Sequence, residues 1–418
     1  MRHVIIGAGP AGVVAAETLR KQDAGAEVVL VGGEPEPAYS RMAIPYLLAN
    51  QIDESGTYLR HDPAHFDNLG IRVLQDSVTR VDSDARVIAL ASGENVEFQR
   101  LLIASGSRPI SPPIEGLAQP GVYHCWTLAD ARHIADYAVP GSRVVLLGAG
   151  FIGSIIMEAL VKRQVSLTVV EMDDRMVPRM MDQTAGNLIK RWCMDRGVTV
   201  NTSTRALELT RHADSKTRFL LKCEGGLDIP ADLVVVAAGV RPEVGYLEGS
   251  GVHVARGVVV DDYLQTSVPG IYAAGDVCEG FDWNTRDRAI YAIQPVAVET
   301  GRMAAMNMAG AGAVYKGSLA MNVLDTLGLI SSSYGQWQGV EGGDSAQLLD
   351  ERRFRYINLQ FQEDRLVGAI TLGLTEHVGV LRGLIQSGIS LGNWKGRLME
   401  DPSRVMEAYL GATQSATA

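Results

Sequence analysis

Cysteine is scarce in this chain of 418 residues, and the four present, Cys125, Cys193, Cys223 and Cys278, stand far apart. No two share the C-x-x-C spacing of a redox dithiol or a zinc site, and no run resembles an iron–sulfur ligand set. Four reduced thiols packing as small apolar groups are expected, and no metal site. Long hydrophobic runs are missing too. No stretch approaches the ~18 unbroken apolar residues of a spanning helix, so no membrane span is expected. The first apolar run, residues 4–6, passes straight into glycines and a helix and reads as a strand, not a signal peptide. Positive charge is in deficit, with 38 Lys and Arg against 48 Asp and Glu, a net charge of −10. That argues against nucleic-acid and anionic-membrane partners and predicts a cytoplasmic protein. Lysine is absent altogether between Lys21 and Lys162.

What is present is one plan used twice, in a chain long enough for two or three domains. HVIIGAGPAGVVAAETL reads as a strand, then Gly7, Gly9 and Gly12, then a helix; RVVLLGAGFIGSIIMEAL repeats this with Gly148, Gly150 and Gly153. Each helix leads to an apolar strand reaching a carboxylate, Glu34 in the first copy and Glu171 in the second. VTRVDSDARVIALASGENVEF and TRALELTRHADSKTRFLLKCEGG then alternate in short segments, as antiparallel meanders do. Each copy closes on an apolar strand and a glycine turn, LLIASGSRP and LVVVAAGVRP. Such a repeat predicts two homologous nucleotide-binding units. In each turn the first glycine allows the bend, the second lets backbone approach a pyrophosphate, and the third lets helix and strand pack closely. The pyrophosphate rests on the helix N-terminus, and the carboxylate accepts from a ribose diol.

The rest of the chain separates the two sites. IYAAGDV is a short strand ending at Gly275 and Asp276, and Asp276 is placed to accept from a ribityl hydroxyl, which NAD lacks and FAD has. A helix beginning near Gln294 and Pro295 points its positive end toward the pyrimidine side of a flavin. Met303, Met306 and Met308 on that helix read as core packing and not as a soft-metal stripe.

GAGPAG, YSRMAIPYLL, LLIASGSRP, GAGFIG, AAGVRP and IYAAGDV occur in this order. They resemble the FAD-dependent pyridine nucleotide-disulfide oxidoreductase superfamily, in the branch of NADH oxidases, nitrite reductase flavin modules and rubredoxin-type reductases. The resemblance implies an α/β fold of two Rossmann-like dinucleotide-binding domains, each with an antiparallel β-meander, plus a small C-terminal α+β domain. Its boundaries are 1–115 with 245–315 for FAD, 116–244 for NAD and 316–418 for a C-terminal interface domain. To the FAD site it adds Pro10, Ala11, Arg41, Pro45, Val78, Ala104, Ser105, Gly106 and Val296; to the NAD(H) site, Phe151, Ile152 and Gly239. Two features of relatives are absent. No redox cysteine stands near the first helix, where Arg41, Met42 and Ala43 occur instead. Ile155 replaces the glutamate that many relatives pair with a flavin-side lysine. Arg41 takes part of that cationic role, or makes a surface or pyrophosphate contact.

Glu171, followed by Asp173 and Asp174, favours NADH over NADPH, with Arg175 the only nearby cation. The cofactors carry the chemistry, so no catalytic side chain is named. Phe281, Asp282, Trp283 and Asn284 line the acceptor side or form a structural loop. After Tyr315, FRYINLQF and RLVGAITLG read as strands, HVGVLRGLIQSG as a helix, and the end as a short segment with a disordered tail, QSATA. Trp337 and Trp394 pack in the core or anchor a contact, and homodimerisation through this domain is one expectation.

Over its whole length the chain resembles the flavin subunits of tungsten aldehyde oxidoreductases and NADH-dependent phenylglyoxylate dehydrogenases. That implies a relay between NAD(H) and an iron–sulfur partner subunit, with a separate catalytic subunit. The alternatives are a stand-alone NADH oxidase or rubredoxin-type reductase, and a flavin-bearing scaffold.

Overall fold

The computed structural model describes residues 1–212 and 218–416 of the chain. They gather into two compact units, Met1–Pro109 with Val240–Ser318, and Ile110–Gly239 with Leu319–Ala418.

The first unit is built on a five-stranded parallel sheet in the order Ile271–Ala273, Arg100–Ile103, Arg2–Ile6, Glu27–Gly32, Ile71–Gln75. Its central strands are near-continuous runs of Val, Ile and Leu because a parallel sheet is covered on both faces. Val4, Ile5, Val29, Leu30, Leu101 and Leu102 are fully enclosed. The helices Pro10–Gln22 and Gln294–Met308 pack together on this sheet. Their closest approach is at Gly301, where a Cβ would lie 2.3 Å from the carbonyl oxygen of Ala11. The meander is Val78–Asp82, Val87–Leu90 and Asn95–Glu97. Met308 is buried in the core and Met303 packs against it.

The second unit repeats the sheet order. Thr199–Asn201, Ser166–Val170, Arg143–Leu147, Leu233–Val236 and Val122–Tyr123 lie parallel. The copies differ at one edge: the fifth strand precedes the glycine turn here, whereas in the first unit it comes from far downstream. The meander Ala206–Arg211, Phe219–Cys223 and Asp228–Ala231 follows the same plan; the turn read at residues 213–217 lies outside the described residues. The same unit holds a five-stranded antiparallel sheet, Met321–Thr326, Leu329–Gly335, Arg365–Leu372, Arg355–Gln362 and Asp344–Asp350 in spatial order. Helix Phe151–Lys162 packs on its first strand. The whole is a mixed α/β architecture of two Rossmann-like sheets with antiparallel additions.

The end of the chain differs from expectation. In place of the short segment and the first three residues of the expected tail stand two helices, Asn393–Glu400 and Val405–Ala416, while Thr417 and Ala418 lie outside the described residues. The reason is a buried stripe at helical spacing, Val405, Ala408 and Ala412. Trp394 packs so closely on Gly411 that a Cβ there would lie 1.9 Å from its indole nitrogen. Among the described residues no helix is long and apolar enough to cross a membrane.

Candidate dinucleotide-binding sites

The two glycine turns match residue by residue. Gly7 N–H donates to Val31 O at 2.8 Å, and Gly148 N–H to Val170 O at 2.8 Å. Gly7 has φ 112° and Gly148 φ 102°, conformations that favour glycine. A Cβ on Gly7 would lie 2.1 Å from Ala104 O, and one on Gly148 2.5 Å from Ala237 O. The third glycines are tighter still: a Cβ on Gly12 would sit 1.8 Å from Gly7 O, and on Gly153 2.2 Å from Gly148 O. The middle glycines behave otherwise. A Cβ on Gly9 or Gly150 would meet no heavy atom within 4 Å. Two glycines of each triplet are thus required by the fold itself. The middle one, Gly9 or Gly150, faces open space at the helix N-terminus, where an approaching phosphate would need it bare.

Both helix N-termini suit an anion. Pro10–Gln22 and Phe151–Lys162 carry no side-chain N-cap and no acidic residue in the first turn. Helix Leu128–Tyr137 is closed by a Thr127–Asp130 capping box, and Gln183–Met194 by Asp182. The first-turn N–H groups and dipole of the first two are left without a side-chain cap and suit an anion. Both cradles fit a dinucleotide pyrophosphate.

Around the first turn the structure assembles most of the residues named from sequence. Ala104–Gly106 follow the adjacent strand; a Cβ on Gly275 would lie 3.2 Å from the Ala11 methyl. The Gly275 N–H donates to the Thr300 hydroxyl at 3.0 Å. Asp276 accepts from the Ser107 hydroxyl at 2.9 Å. Burial pushes the Asp276 carboxyl above its ordinary value, against the opposing effects of that hydroxyl and the Arg41 charge. Gln294 accepts from Ser40 at 2.5 Å, which ties the start of helix Gln294–Met308, with Pro295 and Val296, to the segment before Arg41. Arg41 itself is held by Glu34, at 2.5 Å, and donates to the Tyr39 hydroxyl at 2.9 Å; Tyr39 in turn donates to Glu34. Pro45 follows the turn that carries Arg41, and Val78 follows Ser77, whose hydroxyl a Cβ on Gly33 would approach to 2.5 Å. Pro45 lies in the short helix Ile44–Leu48, and Val78 heads its meander strand and packs on the apolar core. Ser40, Ser107 and Thr300 escaped the sequence reading, since lone hydroxyls carry no pattern.

Around the second turn, Glu171 is buried and accepts from Ala149 N–H at 2.6 Å and Asp173 N–H at 2.9 Å. Phe151 and Ile152 form the first helical turn, and Gly239, at φ 103°, follows the strand that flanks it. Arg175 is committed to Asp174, at 2.8 Å, and to the carbonyls of Met181 and Pro178.

The hidden-thiol expectation is matched by geometry. Cys125, Cys193, Cys223 and Cys278 are all unpaired and buried. Burial pushes Cys193 and Cys278 up to about 12, and Cys125 and Cys223 also upward. Thiolate is the reactive form. A thiol reagent on the native protein is therefore expected to label none of them and to leave NADH-driven flavin reduction unchanged; rapid labelling coupled to lost activity would contradict this. In the segment Phe281 to Asn284, the Phe281 ring has the guanidiniums of Arg286 and Arg288 over it, 4.4 and 4.0 Å from its centre. Asp282 accepts from Asn284 N–H, Thr285 N–H and the Tyr291 hydroxyl, and the Trp283 N–H donates to Ser318 O at 2.8 Å, tying this loop to the segment after Tyr315.

The family model described as pyridine nucleotide-disulphide oxidoreductase matches residues 1–306. The chain belongs to that family. It is an oxidoreductase whose cofactors are FAD and NAD(H), although none of its cysteines is placed for disulfide chemistry. It is 30% identical over 417 residues to the epsilon subunit of NADH-dependent phenylglyoxylate dehydrogenase of Aromatoleum evansii, covering 99% of this chain and 98% of that one. With an NADH oxidase of Methanocaldococcus jannaschii it shares 31% over 325 residues, 75% of this chain and 71% of the other. Its fold matches that of the reductase in a covalent putidaredoxin reductase–putidaredoxin complex, with TM-score 0.89, 23% identity and 99% of each chain covered.

Proposed function

We propose that the first turn holds FAD, the second holds NAD(H), and the protein relays electrons between NAD(H) and an iron–sulfur subunit of a multi-subunit redox enzyme. Asp276 supports the first assignment: it is an acceptor beyond the glycine turn, in the unit that also carries the uncapped helix Gln294–Met308. Glu34 and Glu171 accept from the ribose diols, and the two helix N-termini hold the pyrophosphates. When bound, the nicotinamide and the flavin exchange hydride, and the flavin can release single electrons. The residues themselves bind and orient. The division into an FAD domain at 1–115 and 245–315, an NAD domain at 116–244 and a partner-docking domain at 316–418 belongs to the same proposal.

The observation that carries the relay is the end-to-end match to a relative named as a subunit of a dehydrogenase, whereas the NADH oxidase match covers three quarters of the chain. The buried thiols agree with it, since electrons must then travel through a bound organic cofactor or a partner. In an anaerobic titration NADH is expected to bleach the flavin. NADPH is expected to give the lower kcat/KM, because Glu171, Asp173 and Asp174 repel a 2′-phosphate. Purification from native cells should bring down iron–sulfur subunits. Rapid oxygen consumption by the isolated chain, with no such subunits, would instead establish a stand-alone NADH oxidase.

A further inference from the structure

The stretch from Glu171 to the helix Gln183–Met194 is clamped along its length. At its start Glu171 holds both the glycine turn, through Ala149 N–H, and its own continuation, through Asp173 N–H. In its middle the Val177 N–H donates to Ala149 O at 2.8 Å. Val177 is buried and has φ 51°, a left-handed conformation that a β-branched residue adopts only when its surroundings over-determine it. Its carbonyl accepts from the N–H groups of Met180 and Met181, each at 3.0 Å. The following helix presses close: a Cβ on Gly186 would lie 2.7 Å from Met176 O.

At its end stands Asp182. One oxygen caps the helix by accepting from Ala185 N–H at 2.9 Å. The other accepts from the Tyr356 hydroxyl at 2.7 Å and the Asn358 amide at 3.0 Å, both on strand Arg355–Gln362 of the antiparallel sheet. Gln360 donates to the Asn358 oxygen at 2.9 Å and so fixes which way that amide faces. Tyr356, Asn358 and Gln360 are all buried. A helix cap requires only one oxygen. An apolar sheet face would cover the helix at less desolvation cost than this polar chain. What a satisfied buried network adds is a unique position for the groups it joins.

We infer that Tyr356 and Asn358, acting through Asp182, are positioning residues that hold loop 172–181 against the second glycine turn and thereby set affinity and selectivity for the nicotinamide dinucleotide. The inference rests on the reading of that turn as the NAD(H) site. Burial and the Asp182 carboxylate push the Tyr356 phenol upward, so it remains a donor at working pH. The loop carries Asp173 and Asp174, the carboxylates beside Glu171. Loosening its far end releases their placement and leaves the glycine turn and the first unit intact.

The test is calorimetric titration of the flavin-loaded protein with NAD+ and with NADP+, without turnover. Tyr356→Phe removes one donor. Asn358→Asp keeps the Gln360 contact and sets a carboxylate against Asp182. Tyr356→Phe is expected to weaken NAD+ roughly fivefold and Asn358→Asp more, with a smaller loss for NADP+, so that selectivity narrows. Flavin content should not change, and amide exchange should rise in loop 172–181 but not in strand Arg143–Leu147. Unchanged NAD+ affinity and selectivity in both variants, with only a lower Tm, would reduce the network to a structural cap and overturn the inference. A Gly150→Ala control separates the two claims: if it leaves NAD+ binding intact, the assignment of the second turn falls, and the inference with it.

Discussion

Gly9→Ala is expected to yield a folded protein that has lost most of its flavin, and Gly12→Ala a protein whose first unit does not form. The two positions lie in one turn and differ in what surrounds them. A Cβ on Gly12 would lie 1.8 Å from the Gly7 carbonyl oxygen, a backbone atom with no rotamer to yield. The helix Pro10–Gln22 would have to lift from the strand, breaking its contact with Gln294–Met308 as well. At Gly9 the same methyl meets nothing within 4 Å, and φ −80° with ψ −174° is open to alanine. The fold loses only the preference of an N-cap for glycine over alanine, below ~1 kcal/mol. A pyrophosphate approaching that surface meets the methyl, and overpacking costs about 1–3 kcal/mol. Tm, circular dichroism and the visible flavin absorbance per chain separate the cases. A Gly9→Ala protein with full flavin would show that the pyrophosphate does not rest there.

These turns were legible in the sequence because three glycines at fixed spacing answer three separate steric demands, and the demands recur in the second copy. Asp276 and the helix at Gln294 were legible for a similar reason, since each closes or opens an element in a fixed order. The partner of Arg41 was not. Glu34 lies seven positions earlier in a loop with no period, and only the fold shows that the two side chains meet. Asp182 was invisible as more than a cap, because Tyr356 stands 174 positions downstream. The strand Asp344–Asp350 also escaped notice. It is an edge strand with a single buried residue, Ala346, and so lacks the alternation that marks a half-buried strand. The closing helices hid behind small residues: Ala408 and Ala412 form a buried stripe that reads as low complexity.

FAD is expected to dissociate as the medium is acidified, well before the fold is lost, and Asp276→Ala is expected to lose it at neutral pH. Burial raises the Asp276 carboxyl above its ordinary value, while Ser107 and the Arg41 charge oppose this. In the flavin-free protein the native state therefore holds a proton where the unfolded chain has released it. Its contribution to stability is present below the unfolded pKa and lost as pH rises through the raised native one. A ribityl hydroxyl donating to the carboxylate reverses the preference, because it favours the charged form. Binding then expels a proton, and affinity grows with pH across the window between the flavin-bound and the flavin-free native pKa. Removing the acceptor forfeits a hydrogen bond to a charged group, about 1.5–3 kcal/mol. Asp276→Asn keeps an oxygen but no charge, so it should bind FAD more weakly than the parent and without the pH slope. Its flavin-free form should be the more stable one at neutral pH, since the cost of bringing an ionisable carboxyl into a buried site is relieved. Released flavin fluorescence and apoprotein melting, followed across pH for parent and variant, test both signs. A parent whose FAD affinity rises on acidification would exclude Asp276 as the acceptor.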